Sequence, residues 1–443
     1  MLSVEEVQIA DRLSQFHTSK WGTDERLLKY HDGRKTLSQI GISIPPDLDV
    51  LEVVVNWPRV AVEAIVERSD VKTLRRGGEL NADQDLLALF DANNLASQVP
   101  MFNRDKLTYG RAFMSVGTNE NDPSIPLIMV ESPREITVDV DRRTRSMKSA
   151  LRIVRDDENQ IANATLYLPD STVWLELGNG KWSEVDRDDH GLGRVPIVMA
   201  LNRQRTGDWD GRSEMADVIP IADAAARTLT DMQFAVEAAA VPRKFALGVT
   251  PKDFIGPDGQ PKTEWESYIG SVWALANKEA KVGQLPGADL SGFINVVEHY
   301  GKLAASVTGY PASYFGYTTG NPEAEGAIRA SEARLVKSVE RSNGESGKAI
   351  AWAMDLAQRF QLNEWPSGNR TMVEWHDPGT PTFAQRADAL QKLAGGTPII
   401  SREGAWDEMG WTEARMERER VRFEKQDADP AIQALMSKAE SLG

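Results

Sequence analysis

Apolar residues recur along this chain with two different periods, and the changes from one to the other divide it. Residues 3–31 carry short helical patterns, with Leu13, Phe16 and Trp21 as expected buried anchors. Tyr30-His31-Asp32-Gly33 reads as a helix end followed by a turn. Residues 53–67 predict a helix begun near Asn56, with Pro58 in its first turn, where a missing N–H costs little. Two more helices are expected over 83–93 and 99–109. From Arg111 the pattern shortens to strand-like pieces at 112–116, 127–130, 136–140, 151–154, 164–168 and 173–177. Turn signals such as Asn121-Asp122-Pro123 and Gly178-Asn179-Gly180 separate them. Connections this short imply an antiparallel meander rather than βαβ units, so 1–212 is read as an α+β region.

The helical period then returns. Asp217 is the expected N-cap, with Pro220 still in the first turn. Val218, Ile219, Ala222, Ala225, Ala226, Leu229, Met232 and Val236 sustain the period through 213–241. Residues 242–288 are rich in Pro and Gly, with strand-like pieces such as Val272-Trp273-Ala274-Leu275. A second amphipathic helix over 289–309 places Leu290, Phe293, Ile294, Val297, Tyr300, Ala304 and Val307 at helical spacing, and Gly309 with Pro311 supplies a stop. A loop at 310–326 holds Gly316, Gly320 and Asn321-Pro322. A long helix opens 327–382, where Gly344 and Gly347 predict a kink or short break, and a strand-like piece follows at 371–375. Residues 383–443 read as helical and heavily charged.

Composition narrows the picture. The 443 residues suggest two to four packed regions, and 41% apolar content fits a folded chain. There is no run of about 18 apolar residues, so no membrane span is expected. The acidic start, Met1 to Glu6, lacks the basic and apolar regions of a secretory signal. The absence of cysteine removes disulfides, thiolate metal sites and cysteine nucleophiles, and fits synthesis in a reducing cytoplasm. Net charge is −15, unlike a protein that grips DNA through counterion release. Two readings stay open on charge alone: no nucleic-acid partner, or DNA that passes close by without sticking.

Chemistry is sparse. Asp188-Asp189-His190 and His376-Asp377 hold metal-ligand types but sit beside turn residues and read as solvated loop polars. Gly344-Glu345-Ser346-Gly347-Lys348 lacks the leading Gly of a phosphate loop, and Ala349 stands where Ser or Thr would hold magnesium. No nucleophile elbow is present, and an acidic pair cannot be picked out from 66 Asp and Glu. No enzyme, cofactor or metal is expected.

The order of pieces, together with several motifs, resembles the portal family of long-tailed bacteriophages. The residues that carry the resemblance are Tyr30 to Gly33, Val54 to Glu63, Gly193 to Val198 before Asn202-Arg203, Asp217 to Gln233, and Thr308 to Gly316 leading into Asn321-Pro322 and Ala327 to Glu332. The resemblance implies a portal-type α+β fold assembled as a dodecameric ring. Residues 1–212 would be a wing, 213–241 and 289–309 the stem, 242–288 a clip, 310–326 a tunnel loop, 327–382 a return to the wing, and 383–443 a helical crown. It further implies a virion protein at a unique capsid vertex, conducting double-stranded DNA without sequence specificity. Its partners would be the terminase large subunit, a head-completion adaptor, scaffold and the major capsid protein. Tyr317, Thr318, Thr319, Gly320 and Asn321 would be the DNA-facing residues of the loop. Asp223, Glu298 and Lys302 are the candidates for lining the channel. Tyr314, Phe315 and Tyr317 either pack under the loop, leaving Thr318–Asn321 to face the lumen, or touch DNA, and packing is the preferred reading. The alternatives are a minor capsid or head-maturation protein, and a cytoplasmic hydrolase using an acidic pair.

Overall fold

The structure is a computed structural model that describes residues 1–35, 53–79, 81–119, 121–156, 158, 160–240, 244–248, 281–284, 290–316, 325–366, 370–379, 383–395, 397–411 and 413–427. Residues Met1–Pro378 form one compact unit and Gly379–Gly443 a second.

The opening patterns form one helix, α1 (Val4–His31), not several short ones. A capping box starts it: Ser3 Oγ accepts from the Glu6 amide, and the Glu6 carboxylate accepts from the Ser3 amide. The helix is long because it serves two cores in turn. Ala10 and Leu13 pack on a sheet, whereas Leu27 joins a helical core. Phe16 is 47% exposed, contrary to expectation, because it lies off the stripe defined by Ala10, Leu13 and His17. Between the two cores Asp24 forms a buried ion pair with Arg111 at 2.6 Å. Burial raises the Asp24 carboxyl, and Arg111 opposes that shift.

Helix α2 (Trp57–Val66) begins after Asn56 with Pro58 in its first turn, as expected. Its Ala61, Val62, Ala64, Ile65 and Val66 are buried almost all round, the mark of a central helix. Strand β1 (Val71–Arg76), helix α3 (Gln84–Ala92) and helix α4 (Leu95–Tyr109) follow. Asp83 caps α3 by accepting from the amides of Asp85 and Leu86. Helix α4 starts four residues before its expected beginning, so Pro100 lies inside it at the loss of one backbone hydrogen bond.

The strands make an antiparallel meander, as the short turns require. A five-stranded sheet runs β4 (Ile136–Val140), β5 (Met147–Arg155), β6 (Ile161–Tyr167), β7 (Thr172–Gly178) and β8 (Lys181–Asp188), neighbours in space as in sequence. A three-stranded sheet has β2 (Arg111–Gly117) between β3 (Leu127–Glu131) and β9 (Ile197–Leu201). Strands β1, β8 and β9 were not expected from the pattern.

Helix α5 (Ile219–Ala240) follows a 3₁₀ turn, Glu214–Asp217, capped by Ser213. Asp217 is therefore not the N-cap; its carboxylate pairs with Arg203 at 3.0 Å and with Arg212. Strands β10 (Lys244–Leu247) and β11 (Lys281–Gln284) pair antiparallel, so the insertion leaves and returns at one place. Val272–Leu275 lie outside the described residues. Helix α6 (Ser291–Thr308) then packs on α5, and Gly309 closes it at φ +77. Glycine suits that site: the conformation is left-handed, and a Cβ would lie 2.6 Å from the Arg334 guanidinium and displace it.

Helix α7 (Glu325–Leu362) runs unbroken through Gly344 and Gly347, contrary to the expected break. Gly347 allows close packing instead: a Cβ there would meet Trp375 Nε1 at 3.2 Å. Trp375 lies on β12 (Thr371–Trp375), which pairs with β1. The middle of α7 closes the largest core, where Ile350 and Met354 meet Leu86, Phe90, Phe102 and Met114. The second unit holds α8 (Phe383–Ala394), α9 (Arg402–Glu408) and α10 (Glu413–Asp427), helical as expected.

Candidate functional site

The helix pair α5–α6 and the segment joining α6 to α7 concentrate most of the residues singled out from sequence. An α-helix turns about 100° per residue, which sorts the described side chains of α6 by direction. Gly301, Ala304 and Thr308 are buried in one row. Lys302, Asn295 and Ser306 are exposed on the opposite side. Glu298 is exposed on one flank near Ile294, while Val296, Leu303 and Val307 line the other flank. Glu298 and Lys302 thus project away from the helix seam. Asp223 does not: half-buried on α5, it accepts a hydrogen bond from Tyr30 Oη at 2.8 Å. Burial, then Asp223, pushes the Tyr30 hydroxyl up to about 12, so Tyr30 stays the donor.

The segment after α6 is anchored before it leaves the core. Tyr310 is buried, and its hydroxyl donates to Ala61 O at 3.1 Å. Burial, and after it the neighbouring Glu214, raises that hydroxyl far above its ordinary range. A 3₁₀ turn, Ala312–Phe315, sets Phe315 edge-on to Trp57, with centroids 6.0 Å apart. Phe315 is 3% exposed and Tyr314 is half-buried, and both pack against the helical core of α2. Tyr317, Thr318, Thr319, Gly320 and Asn321 lie outside the described residues.

Arg68, just beyond α2, ties the flanks of that segment together. Its guanidinium donates to Tyr314 Oη and to Glu332 Oε1, both at 2.8 Å, and to Pro378 O at 3.2 Å. Tyr314 precedes the loop and Glu332 follows it, and both ion-pair partners are largely buried. Sequence reasoning missed Arg68, because its partner Glu332 stands 264 positions away and nothing local marks Arg68.

The motifs set aside earlier have structural partners. His190 packs edge-on to Phe360 at 6.0 Å, and burial lowers its pKa. Lys348 pairs with Glu345 at 2.9 Å within α7, which leaves no loop to cradle a phosphate. Among the described residues, no three His, Asp or Glu are grouped to hold a metal.

Comparison with known proteins extends these observations. The model of the phage portal protein family, SPP1 Gp6-like, matches residues 24–431. The portal protein of Mycobacterium phage D29 is 36% identical over 411 residues, which cover 90% of this chain and 84% of that protein. The portal protein of Mycobacterium phage L5 is 34% identical over 411 residues, with the same shares covered. Among solved structures, a chain in the neck of an empty gene transfer agent particle, computed with C6 symmetry, aligns at a TM-score of 0.51. It is 13% identical, with 87% of this chain and 93% of that chain covered, a likeness of fold.

Proposed function

The chain belongs to the SPP1 Gp6-like phage portal protein family, and from that membership we propose that it is the subunit of a dodecameric ring at the capsid vertex, through which double-stranded DNA enters and leaves. In this reading α5 and α6 are the stem, the β10–β11 insertion is the clip, and 310–326 is the tunnel loop. Residues 1–212 supply the wing and 383–443 the crown. The protein is a conduit and docking platform with no catalytic centre of its own. The terminase large subunit supplies the work, and a head-completion adaptor, scaffold and the major capsid protein are its neighbours. It is made in the host cytoplasm and resides in the virion.

The observation that carries this reading is the clamp at the base of the loop. Arg68 binds Tyr314 on one side and Glu332 on the other, while Tyr310 and Phe315 are buried beneath. A segment that touches moving DNA needs fixed ends, and this one has them. The stem adds charge logic. Duplex DNA binds proteins chiefly by exchanging condensed counterions for Lys and Arg, and a ring of subunits at −15 each offers little such exchange. Its own field is screened within about 10 Å at 0.1 M salt, so charge at the lumen wall matters most. Lys302 and Glu298 are the stem residues we place there. Asp223 is engaged by Tyr30 and contributes only at the margin of the lumen.

The test is packaging by phage supplied with variant protein. Deleting Thr318–Asn321 is expected to leave rings assembled while packaging or DNA retention falls, and Glu298→Lys to slow packaging by adding a phosphate contact. Normal packaging in both would overturn the assignment of loop and lumen.

A further inference from the structure

Positive charge is gathered in one place on this acidic chain. A cleft of about 890 Å³ opens between the β4–β5 turn, the loop after β8 and the outer side of α7. Arg145, Lys148, Arg194 and Lys348 stand on its walls, and Glu345 is its single acidic lining residue. Its floor is apolar, with Ile197, Met199 and Trp352. Arg194 lies over the Trp352 ring at 5.4 Å. The cleft continues past Arg145 and Trp209 into a smaller pocket of about 220 Å³ that adds Arg205. Lys348 and Lys148 have carboxylate neighbours, Glu345 and Asp141. Arg145 and Arg205 have none among the described residues.

A complementary surface lies on β7 and β8 of the five-stranded sheet. Strand β8 pairs only with β7, and its register shifts beside Trp174 and Leu175. The shift leaves Val185 bulged and 65% exposed, next to Asp186, which faces Trp174 in register. Trp174 is itself 40% exposed, and Glu176 lies two residues along. Neither Glu176 nor Asp186 has an ion-pair partner among the described residues. The patch is therefore apolar at its centre with free carboxylates around it, the inverse of the cleft.

We propose that the Trp174–Val185 patch of one copy docks into the cationic cleft of the next copy around the ring. This rests on the ring reading above and names the surfaces that close it. The cleft lies where β4 ends, β5 begins and the β6–β7 turn sits, and the patch lies on β7 and β8, so the two are different surfaces of one subunit. A cyclic ring joins two different surfaces of each subunit. Burying Trp174 and Val185 on the Met199–Trp352 floor removes apolar surface from water, and Glu176 and Asp186 find cations that lack partners. Duplex DNA would satisfy the walls but brings nothing apolar to the floor.

The test uses full-length protein and charge exchange, read by native mass measurement or analytical ultracentrifugation. Arg145→Glu with Arg205→Glu, and separately Glu176→Lys with Asp186→Lys, each place like charges face to face and are expected to raise the concentration needed for assembly about tenfold or more. All four residues lack ion-pair partners among the described residues, so each variant is expected to melt like the unmodified chain. The quadruple variant restores opposite charges and is expected to recover assembly. Rings that form equally well in every variant, or a quadruple variant no better than the pairs, overturn the contact alone. Intact rings with altered DNA packaging in the cleft variant would assign the cleft to a polyanion instead and also overturn it. An unmodified chain that never assembles overturns the ring reading, and this contact with it.

Discussion

Lys106 shows how far a single side chain depends on distant parts of this fold. It has no exposed surface, and its ammonium donates to Ser342 O at 2.7 Å and to Ser346 Oγ, stapling α4 to α7. Burial brings its pKa down from the ordinary 10.5 to about 7, with Glu345 and Glu214 opposing. Between those two values the unfolded chain holds a proton that the folded chain has given up, so stability rises with pH across the window. Below about pH 7 both states are protonated and the folded state bears the full cost of the buried charge. The unmodified protein is therefore expected to gain melting temperature between pH 7 and pH 10, and Lys106→Met to flatten that rise. Identical pH profiles for the two would show that Lys106 keeps an ordinary pKa. In the sequence Lys106 reads as a plain helical lysine, because Ser342 and Ser346 lie more than 230 positions away. Separation along the chain also hid the Asp24–Arg111 pair, 87 positions apart, and the Arg68 clamp, 264 apart. Periodicity reports which face of an element is apolar, and says nothing of which polar residue another element will bury.

Among the elements, α7 tests the difference between a glycine that breaks a helix and one that admits a neighbour. Gly347→Val would drive a side chain into Trp375 and Val373, with an expected loss of about 1–3 kcal/mol from overpacking. A Cβ at Gly344 would meet nothing within 4 Å, so Gly344→Ala is expected to gain about 1 kcal/mol of helix propensity. Chemical denaturation of the two variants checks both signs; a loss at Gly344 would mean that the helix bends there after all. The long elements were the legible ones. Helices α2, α5 and α6 follow their apolar spacing, and the meander follows its turns. The three strands that escaped did so for physical reasons. Strand β8, Lys-Trp-Ser-Glu-Val-Asp-Arg-Asp, carries the charges that keep a sheet edge from pairing with strangers, which erases its alternation. Strand β1, Val-Lys-Thr-Leu-Arg-Arg, is mostly polar for a similar reason. Strand β9 is apolar throughout and too short to distinguish from a buried helical turn. Of the candidate site, Glu298 and Lys302 are exposed, whereas Asp223 is held by Tyr30.

On the scale of the whole molecule, the account turns on a subunit built to be one of a ring. Its core residues are largely satisfied within residues 1–378, yet α6 keeps Val296, Leu303 and Val307 between 41% and 46% exposed along one flank. Isolated apolar residues on a surface are ordinary, but a row of them on one helix, together with a cationic cleft and an acidic apolar patch elsewhere, describes a chain that buries more when assembled. In the proposed channel, the charge of −15 per subunit works against tight binding of DNA. Native mass spectrometry of the purified full-length chain, with electron-microscope images of the same sample, addresses this most directly. The account predicts closed rings, dodecameric in mass, with an open central channel. A chain that remains a monomer at micromolar concentration, or that forms compact particles without a central hole, would contradict it.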